Sequence, residues 1–286
     1  MFQIPIFILI FLTGLIVGSF LNCVIYRLYS EESFLKSRPR RKTFSFLRGR
    51  SFCPNCKHIL TWQDLIPVLS FLILKGKCRY CRKPISLQYP LVELATAILF
   101  FLIWQTAAFE LRGFLFYSLI TSFLIIIFVF DLKHYLIPDK VIYPAIAITF
   151  LYRMFGILDF GHWDLFGNWK LEIGNLQPLL NPLISAILAS TFFLLIVSIS
   201  RGKWMGFGDF KLAFLIGLFL GWPNILVALF LAFFIGAIIG VGLIIFGKKT
   251  LKSEIPFGPF LVTGTFLAML FGQKILDWYL NLFLPR

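Results

Sequence analysis

Long apolar runs separated by short polar stretches dominate this chain. Eight runs stand out, near residues 4–26, 88–106, 112–130, 141–158, 180–200, 205–221, 224–246 and 258–284. A bilayer crossing takes roughly 20 apolar residues, and lipid offers no partners to backbone N–H and C=O groups, so each run is expected to be a helix. The run at 205–221 is at the short end. The pattern predicts an all-α polytopic membrane protein of about eight transmembrane helices. A long polar insertion, residues 29–87, separates the first run from the second. It divides the chain into a first transmembrane helix (1–28), a loop domain (29–87) and a seven-helix membrane core (88–286).

Composition agrees with this pattern. Of 286 residues, 59% are hydrophobic and 14% charged, against about half and a quarter in soluble domains. The net charge of +14 is explained by its distribution. Fourteen of the 27 Lys and Arg residues lie in residues 27–83. With that loop on the inside, 22 basic residues fall inside and five outside, as the positive-inside rule expects. The N-terminus is then outside and the 29–87 loop cytoplasmic. The first run has no Lys or Arg before it, which suits an uncleaved first helix. The basic stretch "RPRRK", residues 38–42, is read as part of this asymmetry and as contact with membrane lipid, not as a nucleic-acid site.

The loop carries "CPNC" at 53–56 and "CRYC" at 78–81, with 21 residues between Cys56 and Cys78. Two such knuckles supply four sulfurs, the donor set of a structural zinc site at Cys53, Cys56, Cys78 and Cys81. A redox dithiol pair or an iron–sulfur cluster uses the same residues. A closed four-thiolate site leaves no open position for catalysis. His58 neighbours a knuckle without being needed, and Cys23 reads as a packed side chain in the first helix.

Carboxylates are few along the apolar runs. Asp131 closes the third run and Asp209 opens the sixth, in "MGFGDFK", residues 205–211. Topology puts both at the same membrane face, 78 positions apart in sequence. Two carboxylates in a low-dielectric pocket cannot easily both ionise, so such a pair shares one proton. That is the arrangement of an aspartic protease, in which one carboxylate takes a proton from water while the protonated partner polarises the scissile carbonyl. Gly206 and Gly208 are expected to give room for a substrate strand. The alternative reading makes each Asp a helix cap or an interfacial charge. Asp139, in "IPDK", reads as a cap, His134 as a surface residue and Asp277 as interfacial. Glu93 lies within the second run.

These motifs together resemble the bacterial type IV prepilin peptidases, the leader peptidase/N-methyltransferases of the GxGD-type aspartic protease class. The resemblance runs nearly end to end. It is carried by "GSFLNCVIYRL" (18–28), "RSFCPNCKHILTWQDLIPVLSFLILKGKCRYCRKPISLQYPLVEL" (50–94), "FDLKHYLIPD" (130–139), "MGFGDFK" (205–211) and "IPFGPFL" (255–261). It implies Asp131 and Asp209 as the catalytic pair and zinc on Cys53, Cys56, Cys78 and Cys81. It further implies cleavage of short basic leaders from prepilins and pseudopilins at the cytoplasmic face of the inner membrane. The cut follows a glycine, and the new N-terminal amine is then methylated with S-adenosylmethionine. No glycine-rich strand-to-helix turn accompanies the methyl transfer, so its residues are open; Asp64 and Glu93 are the nearby acidic candidates for a base. Relatives without the cysteine loop only cleave. A proton-coupled transporter, with the acids as a relay, and a non-catalytic pilus-assembly scaffold are the rival readings. A relay would place an acid near the bilayer midplane.

Overall fold

A computed structural model describes residues 3–37, 50–106, 111–155, 158–160, 171–173, 177–202, 205–247 and 255–283. The stretch 38–42 lies outside the described residues. The helices are α1 (Gln3–Ser37), α2 (Leu69–Ile73), α3 (Gln88–Thr106), α4 (Leu111–His134), α5 (Asp139–Phe155), α6 (Gln177–Ser200), α7 (Phe207–Leu220), α8 (Asn224–Ile245) and α9 (Gly258–Phe283). A 3-10 turn at Trp62–Leu65 precedes α2. Two three-residue strands, β1 (Leu158–Phe160) and β2 (Leu171–Ile173), pair antiparallel with Asp159 opposite Glu172.

Each of the eight apolar runs is a helix, so the chain is an all-α polytopic membrane protein. Six helices, α1, α3, α4, α6, α8 and α9, are long and apolar enough to cross a bilayer. Helix α5 has 17 residues and α7 has 14. At about 1.5 Å per residue α7 covers only ~21 Å, short of a ~30 Å hydrocarbon core. It begins at Phe207 and not at Met205, because Gly206 is extended (φ −80°, ψ 155°) and serves as its N-cap. Helix α5 ends at Phe155, before the expected 158.

The chain divides into two compact units, Met1–Ile126 and Ile127–Arg286, with the boundary inside α4. In the first unit α1 packs along α3. A Cβ on Gly14 would lie 2.6 Å from the Ala97 Cα, and one on Gly18 2.7 Å from the Glu93 Cα, so small residues set this close approach. The Asn22 amide donates to the Tyr89 carbonyl at 3.1 Å and accepts from Gln88 at 3.3 Å.

In the second unit α7 is the central helix, packed against α5, α6, α8 and α9. It is apolar all round because it is covered all round: Leu212, Leu215, Ile216 and Phe219 are buried. Gly217 lets α6 approach at Ala186. Gly236 of α8 packs against the Phe260 ring of α9.

Candidate functional site

The second unit brings two acids together. Asp131 lies three residues before the end of α4, and Asp209 is the third residue of α7. Both are buried, at 5% and 8% exposure, and near enough to act on each other electrostatically. The carboxyl of Asp209 lies beside Gly206, the N-cap of α7. That of Asp131 accepts from Gly258, the first residue of α9. A Cβ on Gly258 would stand 2.5 Å from the Asp131 Oδ2. Only glycine lets the α9 N-terminus come this close to the carboxylate. The sequence reading missed this role, although Gly258 is the centre of "IPFGPFL" and opens an apolar run.

Of the two glycines of "GFGD", Gly206 is exposed with no atom nearer than 3.9 Å to an added Cβ, whereas Gly208 is crowded. The backbone of Gly206 is ordinary extended chain. At Gly208 a Cβ would come within 3.1 Å of the Ile137 Cβ. The room at Gly208 is therefore taken by Ile137 of the α4–α5 connection, not left for a substrate strand.

Asp139 stands apart from the buried pair. It is the first residue of α5, its side chain is 60% exposed, and it accepts from the Lys211 ammonium at 2.6 Å. Tyr143, one turn on, places its ring 5.0 Å from the same ammonium. Asp139 and Tyr143 thus anchor α7 two residues beyond Asp209. His134 packs on the Phe130 ring. Asp277 is exposed and accepts from Gln273 at 3.3 Å.

In the first unit the four cysteines converge. The sulfurs of Cys53, Cys56, Cys78 and Cys81 all lie within 4.8 Å of one another, and Cys53 and Cys81 are 4.0 Å apart. A tetrahedral zinc with ~2.3 Å Zn–S bonds needs sulfurs about 3.8 Å apart, so the donor set fits a single ion after a small contraction. The two knuckles are near copies. Cys53 N–H donates to the His58 carbonyl and Lys57 N–H to the Cys53 carbonyl; Cys78, Lys83 and Arg82 repeat both bonds at the same spacing, all at 2.9 Å. Lys57 and Arg82 take the same left-handed conformation, φ 60° and 56°. Burial opposes a thiolate at Cys53, but N–H groups of Cys56 and Asn55 and neighbouring sulfurs outweigh it and bring the thiol to about 7. At Cys81 the Lys83 N–H favours the thiolate, yet burial and bonds with Cys78, Cys56 and Cys53 push the thiol up to about 11. Four sulfurs do not all lose their protons unaided, and a divalent cation is what such a cluster accommodates.

Asp64 ties the second knuckle to the 3-10 turn. Its carboxylate accepts from the Thr61 N–H at 3.1 Å, the Thr61 hydroxyl at 2.8 Å, Arg79 Nε at 2.7 Å and the Tyr80 hydroxyl at 3.1 Å. His58 stacks on Tyr80 at 3.7 Å. Partial burial works upward on the Asp64 carboxyl, but these bonds outweigh it and hold the group below its usual range. Glu93 is similarly engaged, accepting from the Val68 N–H at 2.7 Å. Both acids are thus hydrogen-bonded within the first unit. Cys23 is half-buried, with Ser51 Oγ 4.0 Å away.

Comparison with known proteins gives matches over the whole chain. Residues 12–107 match the bacterial peptidase A24 N-terminal domain, and residues 118–241 match the type IV leader peptidase family. The chain is 35% identical to the prepilin leader peptidase/N-methyltransferase of Aeromonas hydrophila, over 97% of this chain and 95% of that one. It is 34% identical to the protein of that name from Aeromonas salmonicida strain A449, over 96% and 94%. For the Pseudomonas aeruginosa protein the identity is 33%, over 94% and 92%. No solved structure gives a significant match. With both domain models in order and full-length relatives above 30% identity, this chain belongs to the type IV leader peptidase family.

Proposed function

We propose that this chain removes the leader from prepilins and pseudopilins with the pair Asp131 and Asp209, and then methylates the new N-terminal amine. The observation that carries the reading is the pair itself: two buried carboxyls near the ends of α4 and α7, close enough to act on each other. One ionised carboxylate takes a proton from water as the water attacks the scissile carbonyl. Its protonated partner donates to the carbonyl oxygen, and the proton returns to the leaving amine. No covalent nucleophile is required. The close approach of Gly258 holds the Asp131 carboxyl in place before the substrate arrives, so little reorganisation accompanies the reaction.

The charge asymmetry supports an inner-membrane protein with its N-terminus outside and the aspartates at the cytoplasmic face, where a prepilin's leader meets its apolar helix. Residues 29–87 form the loop domain, with structural zinc on Cys53, Cys56, Cys78 and Cys81. Bound there, the ion supplies folding energy to a segment with little core of its own. S-adenosylmethionine is the methyl donor implied by this family, but no set of described residues forms an evident site for it, and no step is derived through it. A proton relay is disfavoured, because the buried carboxylates among the described residues, Glu93, Asp131 and Asp209, all lie within the first or last two turns of their helices. The test is mass spectrometry of a prepilin incubated with purified protein, with and without S-adenosylmethionine. The account expects loss of the leader in both and a 14-dalton gain only with the methyl donor (one CH2 unit). An intact prepilin in both would overturn it, and a trimmed but unmethylated product would leave cleavage alone.

A further inference from the structure

The five-residue helix α2 has no place in the account so far. It is apolar, "LSFLI", and follows directly on Val68. One face, Leu69, Leu72 and Ile73 at i, i+3 and i+4, is exposed, Leu72 by 63% and Ile73 by 74%. Trp62 and Leu65 of the preceding 3-10 turn are exposed as well. An apolar face of this kind in a polar loop needs a partner. Its opposite side is engaged: Phe71 lies against Gly76, and the Ile85 N–H donates to the Gly76 carbonyl.

Glu93 fixes the level of this face relative to the membrane helices. It accepts from the Val68 N–H, at the N-cap of α2, from the sixth residue of α3. Five rises of about 1.5 Å put that contact ~7 Å along α3 from its start. Helix α3 is itself a candidate span beginning at Gln88. An amphipathic element in a lipid interface rests its apolar face about 5–10 Å into the boundary between headgroups and acyl chains. For a span that enters the bilayer at Gln88, the α2 N-cap falls within that range. Lys75 and Lys77 follow immediately, both exposed, with Arg79 and Lys83 beyond. Apolar side chains toward the acyl boundary and basic ones at the headgroups match an anionic leaflet. Val68 itself is a β-branched residue at φ 59°, a backbone that persists only where its surroundings hold it. Glu93 provides that hold.

We propose that α2, with Trp62 and Leu65, is an interfacial anchor that inserts Leu69, Leu72 and Ile73 into the anionic leaflet bordering the loop domain, with Glu93 as the residue that sets its depth. The anchor fixes the metal-binding knuckles at the membrane surface, where α1 and α3 already tether them. The test uses the full-length protein in nanodiscs of phosphatidylethanolamine and phosphatidylglycerol, with a photoreactive benzophenone amino acid at Ile73. Irradiation should add the mass of one phospholipid to the peptide carrying residue 73. A crosslink to a second copy or to added prepilin in place of lipid, or no lipid adduct, overturns the proposal. A second readout is Leu72→Trp, whose added emission should be quenched by lipids brominated near the headgroup end of the acyl chain. Emission indifferent to brominated lipid, with the metal retained, overturns it too. In Glu93→Gln the benzophenone at Ile73 should lose at least half of its lipid adduct; an unchanged yield removes Glu93 from its depth-setting role.

Discussion

Gly258→Ala is the smallest perturbation that reaches the proposed catalytic pair without touching either carboxyl. The added Cβ would fall 2.5 Å from Oδ2 and 3.2 Å from Cγ of Asp131. Carbon–oxygen contacts begin near ~3.3 Å, so carboxylate and helix must separate by about 0.8 Å. Asp131 is buried in a second unit whose interior is close-packed, so the shift cannot be taken up by a free rotamer. It also lengthens the Gly258 N–H bond to the carboxyl. A misplacement of about 1 Å costs on the order of 100-fold in rate, or ~2.7 kcal/mol of transition-state stabilisation. The assay is steady-state cleavage of a prepilin by purified protein, with methylation of an already cleaved pilin as the control for folding. The expected outcome is a kcat lower by about 100-fold with KM changed less than about threefold, and methylation unchanged. A cleavage kcat within about threefold of the parent, in protein that methylates normally, would refute the reasoning that Gly258 places Asp131.

Three further outcomes follow from the same structure. Protein purified without chelator should carry one zinc per chain, and Cys53→Ser with Cys78→Ser should lose it and impair methylation more than cleavage; metal analysis showing iron, or no metal, contradicts the site. Asp64→Asn removes the ion pair to Arg79 and loosens the second knuckle from the 3-10 turn, so zinc should pass to a competing chelator at least several-fold faster than from the parent; equal transfer rates would make the Asp64 network incidental. In the proposed orientation the cytoplasmic loops carry 22 of the 27 basic residues and would not attract a basic leader, so polarising the substrate's apolar helix should slow processing more than neutralising one leader Lys. The reverse order, measured in one lipid, would indicate an acidic leader site, for which Glu31 and Glu32 are the first candidates.

The helices were legible because bilayer crossing imposes a length and a composition that few other constraints disturb. Eight apolar runs became eight helices, with ends displaced by a few residues at α5 and α7. The cysteine cluster was legible for a similar reason, since two tight turns fix the sulfurs locally and the second knuckle repeats the first. The pairing of Asp131 with Asp209 needed topology as well as spacing, and the buried geometry is consistent with it. What could not be read were contacts between residues far apart. Nothing local marks Gly258 as the neighbour of Asp131, or Ile137 as the side chain over Gly208. The run around α2 is too short for a span and too apolar for a loop, and it became interpretable only through its bond to Glu93. Likewise the hydrogen bonds that Asp64 takes from Arg79 and Tyr80, and Glu93 from Val68, are ones that only the fold brings to them.

The most direct test of the central claim compares Asp131→Asn, Asp209→Asn and Asp139→Asn as purified proteins acting on one prepilin. The amide keeps the shape of the carboxyl but cannot exchange the proton that the mechanism needs. Asp131→Asn and Asp209→Asn should each abolish leader cleavage while still methylating a pre-cleaved pilin and retaining their metal. Asp139→Asn should cleave within about tenfold of the parent, because an exposed pair of the Asp139–Lys211 kind is worth only ~0–1 kcal/mol. Near-parental cleavage by either of the first two, or an Asp139→Asn protein as inactive as they are, would contradict the assignment of the reaction to the buried pair.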